Sequence, residues 1–394
     1  MKVLVSTGIG RLHFDDATKY IGNIVENLSV VHANAVARLV SRMATLVNRF
    51  RNGGGEGLRS LAWSICGFTD RRRLRHVDVF HVRSGAGQGG AIKTAKMCGA
   101  KVIVDHSALH PAEAELNLRA DCDRWGEQLP IAPDVGVWKN VMKDCAEADV
   151  LMVNANHIRD SFVERGYDPK KIRVIYLGVR DDFRDVTIRR LESGKKNDVP
   201  KVLFTGNFSL LKGAEYLLES LRILSEHGVK VHYDVVGSVS VPKAMLQKYE
   251  SFIVAGRVED CRTDHTDGIG IKNATVTFHG PVTQDELKVF LAESDIYLFP
   301  SLADGCAQSG MEALTAGLPV VATCQSGLPI TDGETGCVVP MRDAVMIADK
   351  IEWLIENPLA RERIGSKAAK MMRENYTWEI YAKKVSDLYN ELKL

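Results

Sequence analysis

The chain has 394 residues, enough for two domains of ordinary size with a core in each. Its composition, with 45% hydrophobic and 26% charged residues and a formal net charge of +1, excludes a disordered chain and offers no bulk charge for a nucleic-acid partner. The eight cysteines form no Cys-x-x-Cys pair, so we expect neither a zinc site nor a redox centre. No run reaches the roughly 18 apolar residues of a membrane span, and we expect a cytoplasmic protein.

The first predicted strand, Val3 to Val5, leads into a loop that contains Gly8 and Gly10. Glycines at such a place let a backbone lie against a ligand, and they suit a tight turn equally well. From Asp15 to about Phe50 the apolar residues have helical spacing, which predicts a helical region after the strand.

Arginines accumulate between residues 36 and 75, where only Glu56 and Asp70 oppose them. They alternate with helically spaced apolar residues such as Leu39 and Met43. Two interpretations remain open. The region docks on an anionic membrane, which would place the protein peripherally at the inner membrane face, or its apolar side packs on the sheet and its arginines lie in solvent.

A second glycine motif follows the predicted strand Val77 to Val82. Gly85, Gly87 and Gly90 have the G-x-G-x-x-G spacing of dinucleotide-binding loops. Asp105 ends the next strand, where such folds place an acidic partner for a ribose. The motif therefore predicts a nicotinamide-dependent enzyme as one alternative. Against it, the glycines open an interior unit and not the first strand of the sheet.

His106 and His110 follow the strand that contains Asp105. The carboxyl ends of parallel strands are where α/β sheets collect ligand contacts, although a lone histidine is usually a structural group. We therefore expect His106, ahead of His110, to contact a ligand.

A segment with many charges and few apolar residues, Asp185 to Pro200, predicts a linker between two domains. A second α/β series begins after it, with a strand, a loop that contains Gly206, Asn207 and Lys212, and an amphipathic helix. A lysine between a strand end and a helix start is well placed for a phosphate. A further strand of this series ends at Gly237.

The connection between residues 238 and 273 is long and polar. Several of its residues are of types that bind metals: Asp260, Cys261, Asp264, His265 and Asp267. Their spacing is irregular, so we expect an exposed polar insertion and no metal site.

The most informative stretch runs from Ile296 to Thr323, and its pattern predicts a strand, a glycine loop, a short helix and a second strand. Such a helix directs its N–H groups and positive dipole end towards the carboxyl ends of the strands, where open α/β sheets bind phosphorylated ligands. Asp304 and Glu312 flank the helix start. A structural interpretation is also open, because Ser309 and Glu312 have the spacing of a capping box.

This stretch, with Pro-Ser, an acidic residue, Gly and then Glu-Ala-x-x-Ala-Gly-x-Pro-Val-Val-Ala, resembles the donor-site signature of the retaining GT-B glycosyltransferases of family 4. The loop around Lys212 and the segment from Glu147 to Val179 resemble the same family. The resemblance implies an α/β fold of GT-B architecture with two Rossmann-like parallel-sheet domains. Residues 1–184, with a crossover helix at 376–394, would form the acceptor domain, and residues 185–375 the nucleotide-sugar domain.

The resemblance also implies roles for single residues. Lys212 would neutralise the donor diphosphate, and Glu312 would accept hydrogen bonds from the ribose. Asp304 would bind the transferred sugar, and His106 would contact that sugar from the opposing domain. The other implied donor contacts lie in loops and at the helix start: Gly8, Gly10, Gly206, Asn207, Gly237, Gly305, Cys306, Ala307, Gln308, Ser309 and Gly310.

The implied reaction needs no metal or other cofactor, because Lys212, the helix start and the glycine amides would stabilise the leaving diphosphate. The donor would be a UDP- or GDP-sugar, and the acceptor a carbohydrate or a lipid-linked molecule.

The chain departs from the family pattern at several positions, among them three near the predicted site: Asn207 replaces an arginine, Asp304 a glutamate and Arg180 an aspartate. The first two departures are what loss of transfer would look like. The sequence therefore predicts a retaining glycosyltransferase, with two alternatives: a catalytically impaired GT-B binding protein, and an NAD-dependent enzyme that uses the loop from Gly85 to Gly90.

Overall fold

A computed structural model describes residues 1–8, 12–50, 56–134, 136–186, 197–256 and 273–393 of the chain. Contacts divide the chain into two compact units. The first unit contains Met1–Glu115, Pro130–Gly178 and Trp378–Leu394, and the second contains Leu116–Leu129 and Val179–Thr377. The contacts thus change units after Gly178, a little before the boundary at residue 184 that the sequence predicts.

The first unit is built on a parallel sheet. Its strands are β1 (Val3–Ser6), β2 (Leu28–Val31), β3 (Val79–Arg83), β4 (Lys101–His106), β5 (Val150–Val153) and β6 (Ile172–Val174). Their order is β2-β1-β3-β4-β5-β6, and every neighbouring pair is parallel. The helices that begin in this unit are α1 (Leu12–Gly22), α2 (Ala35–Phe50), α3 (Glu56–Asp70), α4 (Ala91–Met97), α5 (Pro111–Trp125), α6 (Trp138–Glu147), α7 (Asn156–Val163) and the C-terminal helix (Trp378–Glu391).

Strand β2 corrects the prediction of a continuous helical region from Asp15 to Phe50. Its four residues pair with β1 in parallel at the edge of the sheet. The run is short and only its last residue, Val31, is buried, so the sequence carries little strand signal there. The ladder partner that stabilises the strand exists only in the folded sheet.

The C-terminal helix completes the core of the first unit, as the sequence predicts. Trp378, Tyr381 and Leu388 are buried in one cluster with residues of β1 and β3. The Tyr389 hydroxyl lies 2.6 Å from Nδ1 of His81, a buried histidine on β3. The last residues of the chain therefore stabilise the unit in which the chain begins.

The second unit is also a parallel α/β structure. Its strands are β7 (Lys201–Thr205), β8 (Phe208–Ser209), β9 (Val231–Val236), β10 (Val239–Ser240), β11 (Ile253–Gly256), β12 (Ala274–Gly280), β13 (Ile296–Phe299), β14 (Val320–Thr323) and β15 (Cys337–Val339). The main sheet has the order β11-β12-β9-β7-β13-β14-β15, and β8 pairs with β10 separately. The helices are α8 (Ala214–Glu226), α9 (Lys243–Lys248), α10 (Gln284–Glu293), α11 (Gln308–Thr315), α12 (Ala344–Glu356) and α13 (Pro358–Asn375).

The connection after Gly237 is more ordered than the polar insertion that the sequence predicts. Residues 239–256 form β10, α9 and β11, and β11 is an edge strand of the main sheet. Met245 and Leu246 of α9 are buried, which explains why this half of the connection packs on the unit. The residues considered for a metal cluster, 260–267, lie outside the described part of the chain.

Among the described helices, none is both long and apolar enough to cross a membrane.

Candidate functional site

The second sheet reverses its strand order between β7 and β13. On one side of this pair the chain builds β9 and β12, and on the other side β14 and β15. Loops that leave two such strands diverge at their carboxyl ends and open a crevice, the place where open α/β sheets bind ligands. The predicted residues Lys212 and Asp304 follow β7 and β13, so the fold places both at this crevice.

Lys212 ends a short 3-10 turn in the loop after β7. The next residue, Gly213, has a φ of 74°, and a Cβ there would lie 1.9 Å from the carbonyl oxygen of Pro300. Glycine is therefore required by both conformation and space. Ser301 Oγ donates to the carbonyl oxygen of Leu211 at 3.0 Å. These contacts fix the loop after β7 directly against the loop after β13.

This packing brings the Lys212 ammonium onto the Asp304 carboxylate, where the two form an ion pair. Each side chain is 18% exposed, so the pair is accessible to a ligand. Lys212 Nζ also lies 5.5 Å from the ring centroid of Phe299. The second oxygen of Asp304 accepts from the backbone N–H of Gly305 at 2.8 Å. A cation and an anion are thus held at the crevice in a defined arrangement.

Helix α11 begins beside this pair, with Ala307 as its N-cap residue and without a side-chain cap. Ser309 Oγ donates to the carbonyl oxygen of Thr205 at 3.2 Å and accepts from the Tyr297 hydroxyl at 2.9 Å. The capping-box interpretation of Ser309 and Glu312 is therefore wrong. Since the first N–H groups of an α-helix have no acceptor within the helix, the start of α11 offers donors and a positive dipole end.

The Glu312 side chain on α11 is partly buried. Burial raises the pKa of its carboxyl group to about 7. The nearby Arg180 guanidinium acts in the opposite direction and lowers this pKa, whereas the Asp182 carboxylate raises it. Within the described part of the chain, no group donates a hydrogen bond to this carboxylate. The surroundings of Glu312 thus disfavour its ionised form, and its two oxygens are available to accept hydrogen bonds from a ligand.

Arg180 is also a member of the site. From the sequence, this residue was noted only as a departure from the family pattern. Its guanidinium pairs with Asp182, and Asp182 also pairs with Lys288 Nζ at 2.9 Å. Arg180 belongs to the second unit and lies close enough to Glu312 to lower its pKa. The replacement of a usual aspartate by arginine was the signal available in the sequence.

Gly206, Asn207 and Gly237 line the same edge of the sheet, after β7 and β9. A Cβ on Gly237 would lie 2.0 Å from the carbonyl oxygen of Gly206, so glycine allows the two strand ends to approach each other. The Asn207 side-chain oxygen accepts from Ser238 Oγ at 3.0 Å. Asn207 is therefore oriented at the edge by a neutral hydrogen bond.

The other predicted donor contacts differ in what they offer a ligand. Gly305 and Cys306 are buried beside the ion pair. The Ala307 N–H donates to the carbonyl oxygen of Ser326 at 3.0 Å and is already used. A Cβ on Gly310 would lie 2.6 Å from Leu328, so this glycine serves the packing of α11. Ala307 and Gly310 therefore serve the structure of α11 itself.

Comparison with known proteins agrees with this geometry. Residues 185–371, which include Lys212, Asp304 and Glu312, match the family model described as glycosyl transferases group 1. The matched residues all lie in the second unit. The predicted resemblance to group 1 glycosyltransferases is therefore confirmed, and relatives named as glycosyltransferases support the prediction of a transferase enzyme.

Two curated relatives are named D-inositol 3-phosphate glycosyltransferase. The one from Corynebacterium diphtheriae is 30% identical over 256 residues, which cover 62% of this chain and 56% of that protein. The one from Corynebacterium efficiens is 28% identical over 302 residues, which cover 74% of this chain and 66% of that protein. The chain therefore spans less than two thirds of the length of either relative.

Among solved structures, HepE from Anabaena in complex with UDP matches with a TM-score of 0.65 and 14% identity, over 99% of this chain and 100% of that one. At this identity the likeness shows the fold, which is the GT-B architecture of two parallel-sheet α/β domains that the sequence predicts.

In the first unit, His106 ends β4 and is 1% exposed. Its Nδ1 lies 2.9 Å from Ser84 Oγ, and its ring packs edge-on against Phe162. Burial, followed by the charge of Arg83, lowers its pKa to about 3, so the ring is neutral near pH 7. The His110 ring also packs edge-on against Phe162. The predicted contact of His106 with a sugar stays a prediction.

The glycine motif of the first unit binds a carboxylate of the chain itself. The N–H groups of Gly85 and Gly87 donate to Asp144 Oδ2 at 2.7 and 2.8 Å, and Gln88 Nε2 donates to Oδ1 at 2.5 Å. Asp144 lies on α6 and is fully buried. A carboxyl group of the chain itself, whose pKa burial raises to about 7, thus takes the donors that a dinucleotide pyrophosphate would need, which argues against the nicotinamide alternative.

Gly8 is close-packed as well, since a Cβ there would lie 2.4 Å from the Trp63 ring. Gly10 lies outside the described residues. Within the described ranges, no group of three or more His, Cys, Asp or Glu side chains is arranged to hold a metal ion.

Proposed function

We propose that this protein is a retaining glycosyltransferase that transfers a sugar from a nucleotide-sugar donor to a glycan, lipid or small-molecule acceptor. The observation that carries the proposal is the grouping of Lys212, Asp304 and Glu312 beside the start of α11, at the strand-order reversal of the second unit. That position suits a nucleoside diphosphate, which needs positive charge for its phosphates and acceptors for its ribose hydroxyls.

In the proposed complex the donor diphosphate replaces the Asp304 carboxylate as the ion-pair partner of Lys212. The N–H groups at the start of α11 stabilise the other phosphate oxygens without a metal ion. Asp304, released from Lys212, accepts hydrogen bonds from hydroxyls of the transferred sugar. Arg180, which this chain carries in addition, supplies a second positive charge near Glu312.

Glu312 accepts hydrogen bonds from the ribose hydroxyls in this proposal. Support comes from its position on α11 and from its carboxylate, which receives no hydrogen bond from the described residues. The HepE structure from Anabaena contains UDP on a similar fold, which favours UDP as the first nucleotide to test, with GDP as the alternative.

The proposed transfer uses no protein nucleophile. The bond between the anomeric carbon and the diphosphate oxygen breaks, and the bond to the acceptor oxygen forms on the same face of the sugar. The acceptor hydroxyl gives its proton to the departing diphosphate. Since nucleotide sugars are cytoplasmic metabolites, we also propose that the protein works in the cytoplasm.

Binding without transfer is the second candidate function. Asn207 is a neutral group held by Ser238, so one phosphate contact of the family is absent at that position. Release of nucleoside diphosphate from a nucleotide sugar, with or without an acceptor, separates the two functions. A protein that binds the nucleotide sugar tightly but never cleaves the bond between the sugar and the diphosphate would be a binding protein.

Binding is tested first, by thermal-shift screening of UDP, GDP and ADP followed by calorimetry with the best ligand. We expect Lys212→Met and Glu312→Gln each to weaken binding about tenfold or more, since each removes a hydrogen bond to a charged group. Lys230→Met, which removes an exposed lysine of the same unit, should bind normally. Normal binding by both site variants, or no binding by the wild type, contradicts the proposal.

A further inference from the structure

Helices α2 and α3 of the first unit expose apolar stripes. On α2, Val36, Leu39, Met43 and Leu46 recur at helical spacing and are 49–59% exposed. On α3, Leu61 and Phe68 lie two turns apart and are 51% and 54% exposed. Isolated exposed apolar residues are ordinary in proteins, but two such stripes on neighbouring helices are characteristic of an interaction surface.

The two helices bury small residues where they pack. Ala37 and Ala44 of α2 and Ala62 of α3 are 0% exposed, and the two helices contact each other directly. Several of the large apolar residues are therefore turned outwards. Their exposure favours the membrane interpretation of the region over the one in which its apolar side packs on the sheet and only the arginines lie in solvent.

Exposed arginines lie on α2 and directly after α3. Arg38 and Arg42 on α2 and Arg72, Arg73 and Arg75 after α3 are exposed. Arg71 lies over the exposed Phe68 ring at 4.8 Å, which joins the basic segment to the apolar stripe.

The Asp70 carboxylate interacts electrostatically with Arg73 but not as a direct ion pair. Asp70 is buried and accepts from Ser6 Oγ at 2.5 Å, so its carboxylate is turned inwards. Across the described residues, no carboxylate lies within ion-pair distance of Arg42, Arg72 or Arg73.

We propose that the α2–α3 surface, defined by Val36, Leu39, Met43, Leu46, Leu61 and Phe68 with the exposed arginines on α2 and directly after α3, binds an anionic lipid bilayer. The apolar side chains enter the boundary between headgroups and acyl chains, and the arginines contact the lipid phosphates. A second copy of the chain is a poorer partner, since a two-fold interface would place this positive surface against itself. The inference does not depend on the proposed transferase activity.

Flotation with vesicles tests the proposal on the full chain. We expect binding to vesicles of phosphatidylcholine mixed with phosphatidylglycerol, little binding to phosphatidylcholine alone, and release by high salt. The double variant Leu39→Gln, Met43→Gln should lower the partition coefficient about tenfold or more, because two side chains no longer enter the bilayer. Arg42→Gln with Arg72→Gln should weaken binding to anionic vesicles and reduce its salt dependence.

Met97→Gln is the matched control, because Met97 is a 78% exposed apolar residue of the same unit outside the α2–α3 surface. It should bind vesicles as the wild type does. Equal binding to neutral and anionic vesicles, or no binding to either, would overturn the proposal. So would a dimer, seen by ultracentrifugation without lipid, that the Leu39→Gln, Met43→Gln variant abolishes.

Discussion

At the scale of single residues, the Glu312 carboxylate has a pKa near 7, against an ordinary value of 4.5. Because the folded pKa is the higher one, Glu312 favours the folded state most below pH 4.5. This contribution decreases as the pH rises towards 7 and is absent above it. A ligand whose hydroxyls donate to the ionised carboxylate reverses the preference, so binding and titration of Glu312 are coupled. Arg180, Asp182 and the Lys288 that pairs with Asp182 set the charge around it.

We therefore predict a pH dependence of nucleoside-diphosphate binding. Between pH 8 and pH 6 the ionised fraction of Glu312 falls about tenfold, and the affinity should fall by a similar factor. Calorimetry at both pH values measures it. The ligand phosphate also titrates in this range, so the quantity to compare is the ratio of the wild-type affinity to that of Glu312→Gln. A ratio that does not change with pH would contradict the account.

The stability of Glu312→Gln supplies the control for this prediction. The variant removes a partly buried charge, so at pH 8 it should be more stable than the wild type by up to about 3 kcal/mol. At pH 4.5 the two proteins should be similar, because Glu312 is then protonated. Urea unfolding at both pH values tests this. Loss of stability at pH 8 would mean that Glu312 has a structural role.

At the scale of elements, the loop between β3 and α4 shows how a ligand-binding pattern can be satisfied internally. Its glycines allow two backbone N–H groups to converge on one point, and Asp144 of α6 provides a carboxyl group there. In the second unit the corresponding place at the sheet carries the accessible Lys212–Asp304 pair. The two sheets are alike in topology, and side chains decide which one is open to an anionic ligand.

Replacement of Asp144 should therefore weaken the first unit. Asp144→Ala leaves the N–H groups of Gly85 and Gly87 and the Gln88 amide without their acceptor, and we expect a loss of about 3 kcal/mol or more in unfolding free energy. Asp285→Ala, which removes a carboxylate that is 95% exposed, should change stability little. The measurement is urea unfolding of both variants. Equal stability would show that the loop does not depend on Asp144.

At the scale of the whole molecule, the chain returns at its end to the unit in which it began. The C-terminal helix adds Trp378, Tyr381 and Tyr389 to the core of the first unit, and the Tyr389 hydroxyl contacts His81. The second unit has its own sheet, and most of its residues lie between the last two of the three segments that form the first unit. The stability of the first unit thus depends on residues that are distant in sequence from its sheet.

Removal of residues 378–394 should therefore act on one unit. We expect peptides from β1 and β3 to lose protection in hydrogen exchange, because the core they share with the C-terminal helix is opened, while β7 and β13 keep theirs. The single substitution Tyr389→Phe is a milder change and should lower the free energy of unfolding by about 1 kcal/mol, since it removes one hydrogen bond. Equal loss of protection in both units would contradict this division.

Much of the architecture followed from local patterns. Apolar runs that end in glycine or polar loops predicted the central strands, and the apolar face of residues 378–389 predicted a packed C-terminal helix. Strand β2 and strand β11 were missed because each is an edge strand whose partner, β1 or β12, is brought to it by folding. Lys212, Asp304 and Glu312 were named from the sequence, but the contact between Lys212 and Asp304 was not.

The sequence by itself determined the α/β class, the two glycine-rich strand ends and the residue types of the second unit's crevice. These depend on spacing along a short stretch of chain, where periodicity and backbone conformation act locally. The tertiary structure alone decided that Asp144 fills one glycine loop, that Ser309 does not cap α11, and that several of the large apolar residues of α2 point outwards. Each of these depends on which group reaches a given position from far along the chain, and packing in three dimensions, not local spacing, selects it.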